Sequence, residues 1–199
     1  MQAKSLLDKY KIKSIESKYV SSIDEAIEFA KNDAIVLKVL SDKALHKTKE
    51  HLVMLNLEGE KKIKEAYTTL EKRGAQFAPY KILAQKMSKG GVEAILGGTI
   101  DSQFGKAVLL GLGGIYVEAF NDTAIRLCPL SKYDAKDMID QLKSKSVITY
   151  NGKATNMVAT LLLRFSKMFY EHKEIKEIDL NPVIIRENDY EAVDLRILV

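Results

Sequence analysis

One cysteine, Cys128, is all that this chain of 199 residues contains. That rules out an internal disulfide framework and any CxxC metal site. Cys128 lies in the apolar stretch AIRLCPL, where a thiol serves as a small buried hydrophobe rather than a nucleophile. Long apolar runs are missing as well. Nowhere do about 18 apolar residues follow one another, and MQAKSLLDKYKIK has no apolar segment of the signal-peptide kind. The expectation is a soluble, cytoplasmic protein with no membrane contact. Dense basic clusters with interleaved aromatics are also lacking, although the net charge is +4. Nucleic acid is therefore not the expected partner. Scattered lysines suit small anions such as phosphates.

What is present is a core-forming composition, 46% hydrophobic, which excludes disorder. AKSLLDKYKI has helical spacing, and SIESKYV is extended. SSIDEAIEFAKND is a helix that Ser21 or Ser22 can cap, with acids in its first turn. AIVLKVL is a buried strand interrupted by Lys38, and LVMLNLEG is another strand. EKKIKEAYTTLEKRG is an amphipathic helix that Gly74 stops, and YKILAQKM is the next strand. Eight of the 11 glycines then fall between Gly90 and Gly114. Apolar strands alternate there with Gly or Asp turns, which reads as an antiparallel meander. A helix from about Lys132 to Lys143, a loop at TYNGKAT and the apolar helix NMVATLLLRFSKMFYEH follow. Two strands around a turn at Glu187 to Tyr190 close the sequence. This order predicts an α+β protein rather than a regular βαβ series. A smaller N-terminal lobe is expected over 1–80 and a C-terminal lobe over 81–199.

Several side chains stand out. A lysine inside IVLKVL either faces solvent from an edge strand or offers its charge to a phosphate, because a buried cation needs a partner. LHKTKEH sets His46 among lysines; nearby cations favour a neutral imidazole, which can accept a phosphoryl group. If Arg186 faces Glu191 in the last hairpin, Val183 faces Asp194 and Asn181 faces Arg196. Asn181 and Asp194 then become diagonal neighbours on one face, within reach of one cation. Their oxygens, with phosphate oxygens, suit Mg²⁺. Glu93 in GVEAILGG is an acid within an apolar strand and could pair with Lys38 or bind ribose hydroxyls. The knot in FGKAVLLGLGGIYVE fits no standard phosphate loop. No Lys-Ser or Lys-Thr follows it, Tyr116 stands where a third glycine would be required, and a strand follows instead of a helix. It reads as a glycine-rich turn.

In order and spacing, IVLKVLSDKALHKT, VEAILGGTIDSQFGKAVLLGLGGIYVE, IRLCPLSKYDAKDMI and IDLNPV…AVDLRI resemble the ATP-grasp β subunit of ADP-forming acetyl-CoA synthetase, a relative of succinyl-CoA synthetase β. The resemblance implies an ATP-grasp fold whose two α+β lobes clamp a nucleotide. It implies conversion of acyl-CoA, ADP and phosphate into free acid, ATP and CoA, with Mg²⁺ and a CoA-binding α subunit, in an α2β2 assembly. Lys38 would then contact the nucleotide phosphates. Gln85, with the backbone of Lys86 and Met87, would lie along the adenine, and Glu93 would touch the ribose. Asn181 and Asp194 would hold Mg²⁺. His46 would be the phosphohistidine that ferries phosphate to ADP. Two other readings stay open, a non-catalytic ATP-grasp paralogue acting as a binding or regulatory subunit and another ATP-grasp carboxylate ligase.

Overall fold

The structure, a computed structural model, describes residues 3–41, 43, 51–114 and 122–199. The chain divides into two compact units, Ile15–Lys89 and a larger one made of the segment up to Ser14 together with Gly90–Val199. The sequence places a boundary at 80/81, whereas the structure places it at 89/90. The reason is that strand β4 (Lys81–Lys86) is an inner strand of the first sheet, hydrogen-bonded on both sides.

In the smaller unit, β1 (Ser17–Val20), β2 (Ile35–Leu40), β3 (Val53–Leu57) and β4 form an antiparallel sheet in the order β1-β4-β2-β3. Helices α2 (Ile23–Ala30) and α3 (Gly59–Gly74) cover one face of it. Ser22 caps α2 by accepting from the Glu25 N–H at 3.2 Å, while the Glu25 carboxylate accepts from the Ser21 N–H at 2.8 Å. In α3 the buried positions Ile63, Ala66, Tyr67, Leu70 and Gly74 form one stripe. Gly74 does not end the helix abruptly as a left-handed cap. It is helical at φ −68°, ψ −26°, and the chain runs on into a 3₁₀ turn, Ala75–Phe77. Its missing side chain serves packing instead, since a Cβ there would stand 3.0 Å from the Tyr80 ring.

In the larger unit, β5 (Val92–Asp101), β6 (Gly105–Leu112), β7 (Thr123–Leu127), β8 (Glu177–Ile185), β9 (Tyr190–Ala192) and β10 (Leu195–Leu198) make one antiparallel sheet. Its order is β10-β8-β5-β6-β7, with β9 pairing β8. The expected meander is β5, β6 and β7. Helix α4 (Lys132–Gln141), opened by a capping box between Ser131 and Asp134, the short α5 (Lys145–Ile148) and the long α6 (Thr155–Glu171) complete the unit with α1 (Ala3–Lys9). Phe165 and Phe169 of α6 are fully buried with Leu96, Val108, Leu110, Ile178 and Leu180. Helix α1 lies in this core through Leu6 and Leu7. The stretch after it is held by Tyr10 donating to Glu171 at 2.6 Å, Arg164 donating to the Lys11 carbonyl at 2.8 Å, and Lys13 pairing with Asp189 at 2.5 Å. Among the described residues, no helix is long and apolar enough to cross a membrane.

Candidate functional site

Alternation sorts the side chains of the smaller sheet. Ile35, Leu37, Val39, Ile82 and Ala84 join the helix-side core. The intervening Val36, Lys38 and Gln85 point the other way, and all three are buried. Register pairs Lys38 with Leu83 and Val36 with Gln85, so Lys38 and Gln85 are diagonal neighbours on one face. Lys38 is 7% exposed, which discards the solvent-facing alternative. The Lys86 side chain belongs to the opposite face. Its ammonium donates to the Ala30 carbonyl at 3.1 Å, pairs with Asp33 at 2.9 Å and lies 5.3 Å from the centre of the Phe29 ring. The backbone N–H groups of Lys86 and Met87 are taken by Glu16 and Ala34 carbonyls at 2.9 and 3.0 Å. Towards a ligand these two residues therefore have backbone carbonyl acceptors and no backbone donor. His46 and its neighbours 44–50 lie outside the described residues.

Helix α6 covers one face of the larger sheet, and Ile125, Leu127 and Leu198 are exposed. The last hairpin has a tighter turn than the sequence suggests. The Arg186 N–H donates to the Asp189 carbonyl at 2.7 Å, leaving two turn residues, Glu187 and Asn188, and pairing Ile185 with Tyr190. Val183 therefore faces Ala192, not Asp194, and Arg196 faces Asp179, not Asn181. The slip is two residues, so no side chain changes face. It brings the two candidate metal ligands closer together. Asn181 and Asp194 lie directly opposite each other, joined by Asn181 N–H to Asp194 O at 3.3 Å. Both are exposed.

Sequence reasoning passed over Asp179, two residues before Asn181 and so on the same face, which strand alternation could have revealed. Burial, then repulsion from Asp194, push its carboxyl pKa up, and Arg196 opposite pulls it back. An acid disfavoured in this way gains from a cation placed between the carboxylates. Carboxamide and carboxylate oxygens are the hard donors that Mg²⁺ takes. Among the described residues, no group of three acidic, histidine or cysteine side chains could hold a metal unaided. The donor set fits a cation that arrives with phosphate oxygens.

Glu93 is exposed and sits beside the glycine knot. The Gly113 N–H donates to its carbonyl at 2.6 Å. A Cβ at Gly113 would lie 2.9 Å from that carbonyl, and one at Gly114 would lie 3.0 Å from the Glu93 carboxylate. Gly111 makes room for Thr123, whose Cγ2 would stand 2.9 Å from a Cβ. The knot is thus an extension of strand pairing around Glu93. Lys38 and Glu93 belong to different units, and residues 115–121 lie outside the described ones.

The profile of the ATP-grasp domain family matches residues 1–199. The acetate–CoA ligase [ADP-forming] II subunit beta of Pyrococcus furiosus is 32% identical over 211 residues, spanning 100% of this chain and 89% of that one. The acetate–CoA ligase [ADP-forming] I of Archaeoglobus fulgidus is 33% identical over 98% of this chain, which spans only 30% of that longer polypeptide. Acetyl-coenzyme A synthetase 1 of Ca. Korarchaeum cryptofilum, solved with coenzyme A, Ca-AMPCP and HgCl+, superposes with a TM-score of 0.89 at 33% identity, covering 100% of this chain and 91% of that one. The same synthetase solved with coenzyme A and Mg-AMPPCP, its phosphohistidine segment pointing towards the nucleotide binding site, gives a TM-score of 0.85 at 32% identity, with 100% and 90% covered.

Proposed function

The chain belongs to the ATP-grasp domain family, and on that premise we propose that it is the nucleotide-binding β subunit of an ADP-forming acid–CoA ligase. Acyl-CoA, ADP and phosphate become free acid, ATP and CoA, and the reaction runs in both directions. The observation that carries this reading is the likeness over the whole chain, at a TM-score of 0.89 and 33% identity, to a synthetase holding CoA and a nucleotide analogue. A CoA-binding α subunit completes the enzyme in an α2β2 assembly, working in the cytoplasm.

Each side chain then has a task. Lys38 supplies positive charge to the nucleotide phosphates from a buried face, where a cation acts more strongly than in water. Gln85 and the carbonyls of Lys86 and Met87 lie along the adenine, and Glu93 meets the ribose. Asn181 and Asp194, with Asp179, hold Mg²⁺, which spreads the charge of the transferring phosphoryl group. His46 carries that group to ADP.

The test supplies ATP radiolabelled at its terminal phosphate, with Mg²⁺, to this chain together with its CoA-binding partner. Acid-labile, base-stable label on this chain is expected, and His46→Ala should abolish both label and turnover. Full turnover by His46→Ala would remove the shuttle. Absence of CoA-dependent ATP formation by the intact pair would remove the whole reading.

A further inference from the structure

Of the five arginines in the chain, four are engaged within the protein itself. Arg73 donates to the His51 carbonyl at 3.0 Å, Arg164 donates to the Lys11 carbonyl at 2.8 Å, Arg126 pairs with Asp137, and Arg186 pairs with Glu191 at 2.5 Å. Arg196 is different. It is exposed, and among the described residues its guanidinium has no hydrogen bond and no ion pair. Asp179, directly opposite, attracts it without pairing with it.

Its place in the sheet is specific. Leu195 and Ile197 pack against the core, so by alternation Arg196 leaves the opposite face of β10. Asp179 and Asn181 leave β8 on that face, because Ile178 and Leu180 are core residues. Glu93 leaves β5 on it too, because Ala94 is in the core. Along β8 these side chains form successive rows. Glu93 is level with Ile184, Asp194 with Asn181, and Arg196 with Asp179. At roughly 3.3 Å a residue, Arg196 stands about 7 Å past the candidate metal pair, on the side away from Glu93.

We infer that Arg196 holds the terminal phosphate of the nucleotide, with its guanidinium fork on the phosphoryl oxygens. This deepens the β-subunit reading and rests on it. That reading sets the ribose at Glu93 and Mg²⁺ at Asn181 and Asp194, so the row beyond the metal receives the outermost phosphate. The charges agree. Asp179 and Asp194 bring two negative charges, which Mg²⁺ only cancels. Arg196 leaves the face with one positive charge in excess, where acids alone would repel a phosphoryl group. Glu177, one row further out, is exposed, and water screens it. The planar guanidinium meets two phosphoryl oxygens at once, which an ammonium does not.

The test compares Arg196→Gln, Arg196→Lys and Asn181→Ala in the whole chain by calorimetry, after thermal melting has checked that each folds. Two ligands are used. Mg²⁺–AMPPCP carries a terminal phosphate, and Mg²⁺–ADP lacks it. In Arg196→Gln the affinity for Mg²⁺–AMPPCP should fall about tenfold or more, while that for Mg²⁺–ADP stays within about twofold of the parent. Arg196→Lys keeps the charge and loses the fork, so its affinity for Mg²⁺–AMPPCP should fall by only about threefold. Asn181→Ala should weaken both ligands together, which separates the arginine from the metal pair. Equal losses for both ligands in Arg196→Gln would make the arginine a support of the metal pair or of the fold, and would overturn the inference. Undiminished binding of Mg²⁺–AMPPCP would overturn it as well. A parent chain that binds neither nucleotide would instead sink the β-subunit reading, and this role with it.

Discussion

Two neighbouring glycines on β5 behave in opposite ways, and stability measurements separate them. Gly98→Ala drives a methyl into Phe169 and Ile178, and an overpacked core loses about 1–3 kcal/mol. Gly97→Ala meets no clash and removes backbone entropy from the unfolded chain, so it should be neutral or stabilising by up to about 1 kcal/mol. Paired thermal melts check both. At the proposed metal pair, Asn181→Ala or Asp194→Ala should weaken Mg²⁺–nucleotide binding by about tenfold or more, in line with the loss of a metal ligand. Unchanged calorimetric affinity would discard the assignment. Lys38 was legible in the sequence because a charge inside IVLKVL violates the pattern around it. Gly97 was not legible, because its glycine neighbour looks identical until the two faces of the sheet are known. The crowding of Glu93 against Gly113 and Gly114 was hidden for the same reason. A clash between segments some 20 residues apart has no periodic signature.

Elements were more readable than their joints. The helical stripe of α3 and the run of strands from β5 to β7 follow from periodicity alone. The end of α3 and the register of the last hairpin do not. The first depends on Tyr80 packing against Gly74, and the second on a two-residue turn where the sequence allows four. Register errors of two preserve faces, which is why Asn181 and Asp194 could be paired correctly from an incorrect alignment. Lys106, otherwise a strange residue for a buried strand, finds its reason at the end of α6. Its ammonium donates to the Phe169 and His172 carbonyls, both at 2.6 Å, and satisfies orphan acceptors there. The junction between α1 and α6 makes a prediction about pH. Burial and the bond to Glu171 raise the Tyr10 pKa from 10.0 to about 12. A raised pKa means that the folded state holds the proton more tightly. The stabilisation is therefore complete below pH 10 and disappears as pH climbs through about 12. Tyr10→Phe should be less stable than the parent at neutral pH, and denaturation curves should show the gap closing across that alkaline window. A gap independent of pH would mean that Tyr10 contributes packing only.

At the scale of the whole molecule, two separate apolar clusters imply two cooperative structures. One is built around Leu70 and Tyr67, the other around Phe165 and Phe169. Leu70→Ala should lower one unfolding transition by about 2–5 kcal/mol, and Phe165→Ala the other by about 3–5 kcal/mol. Fluorescence and calorimetric traces that move as a single transition in both variants would contradict this. The α+β class was evident from element order. The division of the chain was not, because the segment ending at Ser14 returns to a unit that resumes only at Gly90. That connectivity has a consequence for synthesis on the ribosome. Domains condense as units while the chain emerges, so Ile15–Lys89 can close its core before the larger unit is complete. The older segment before it, with Leu6, Leu7 and Tyr10, must wait. Its partners Glu171 and Asp189 are made only after the whole of the smaller unit. Until Gly90–Val199 has emerged α1 is an apolar ribbon without its core partners, and it folds after the unit that follows it in the chain.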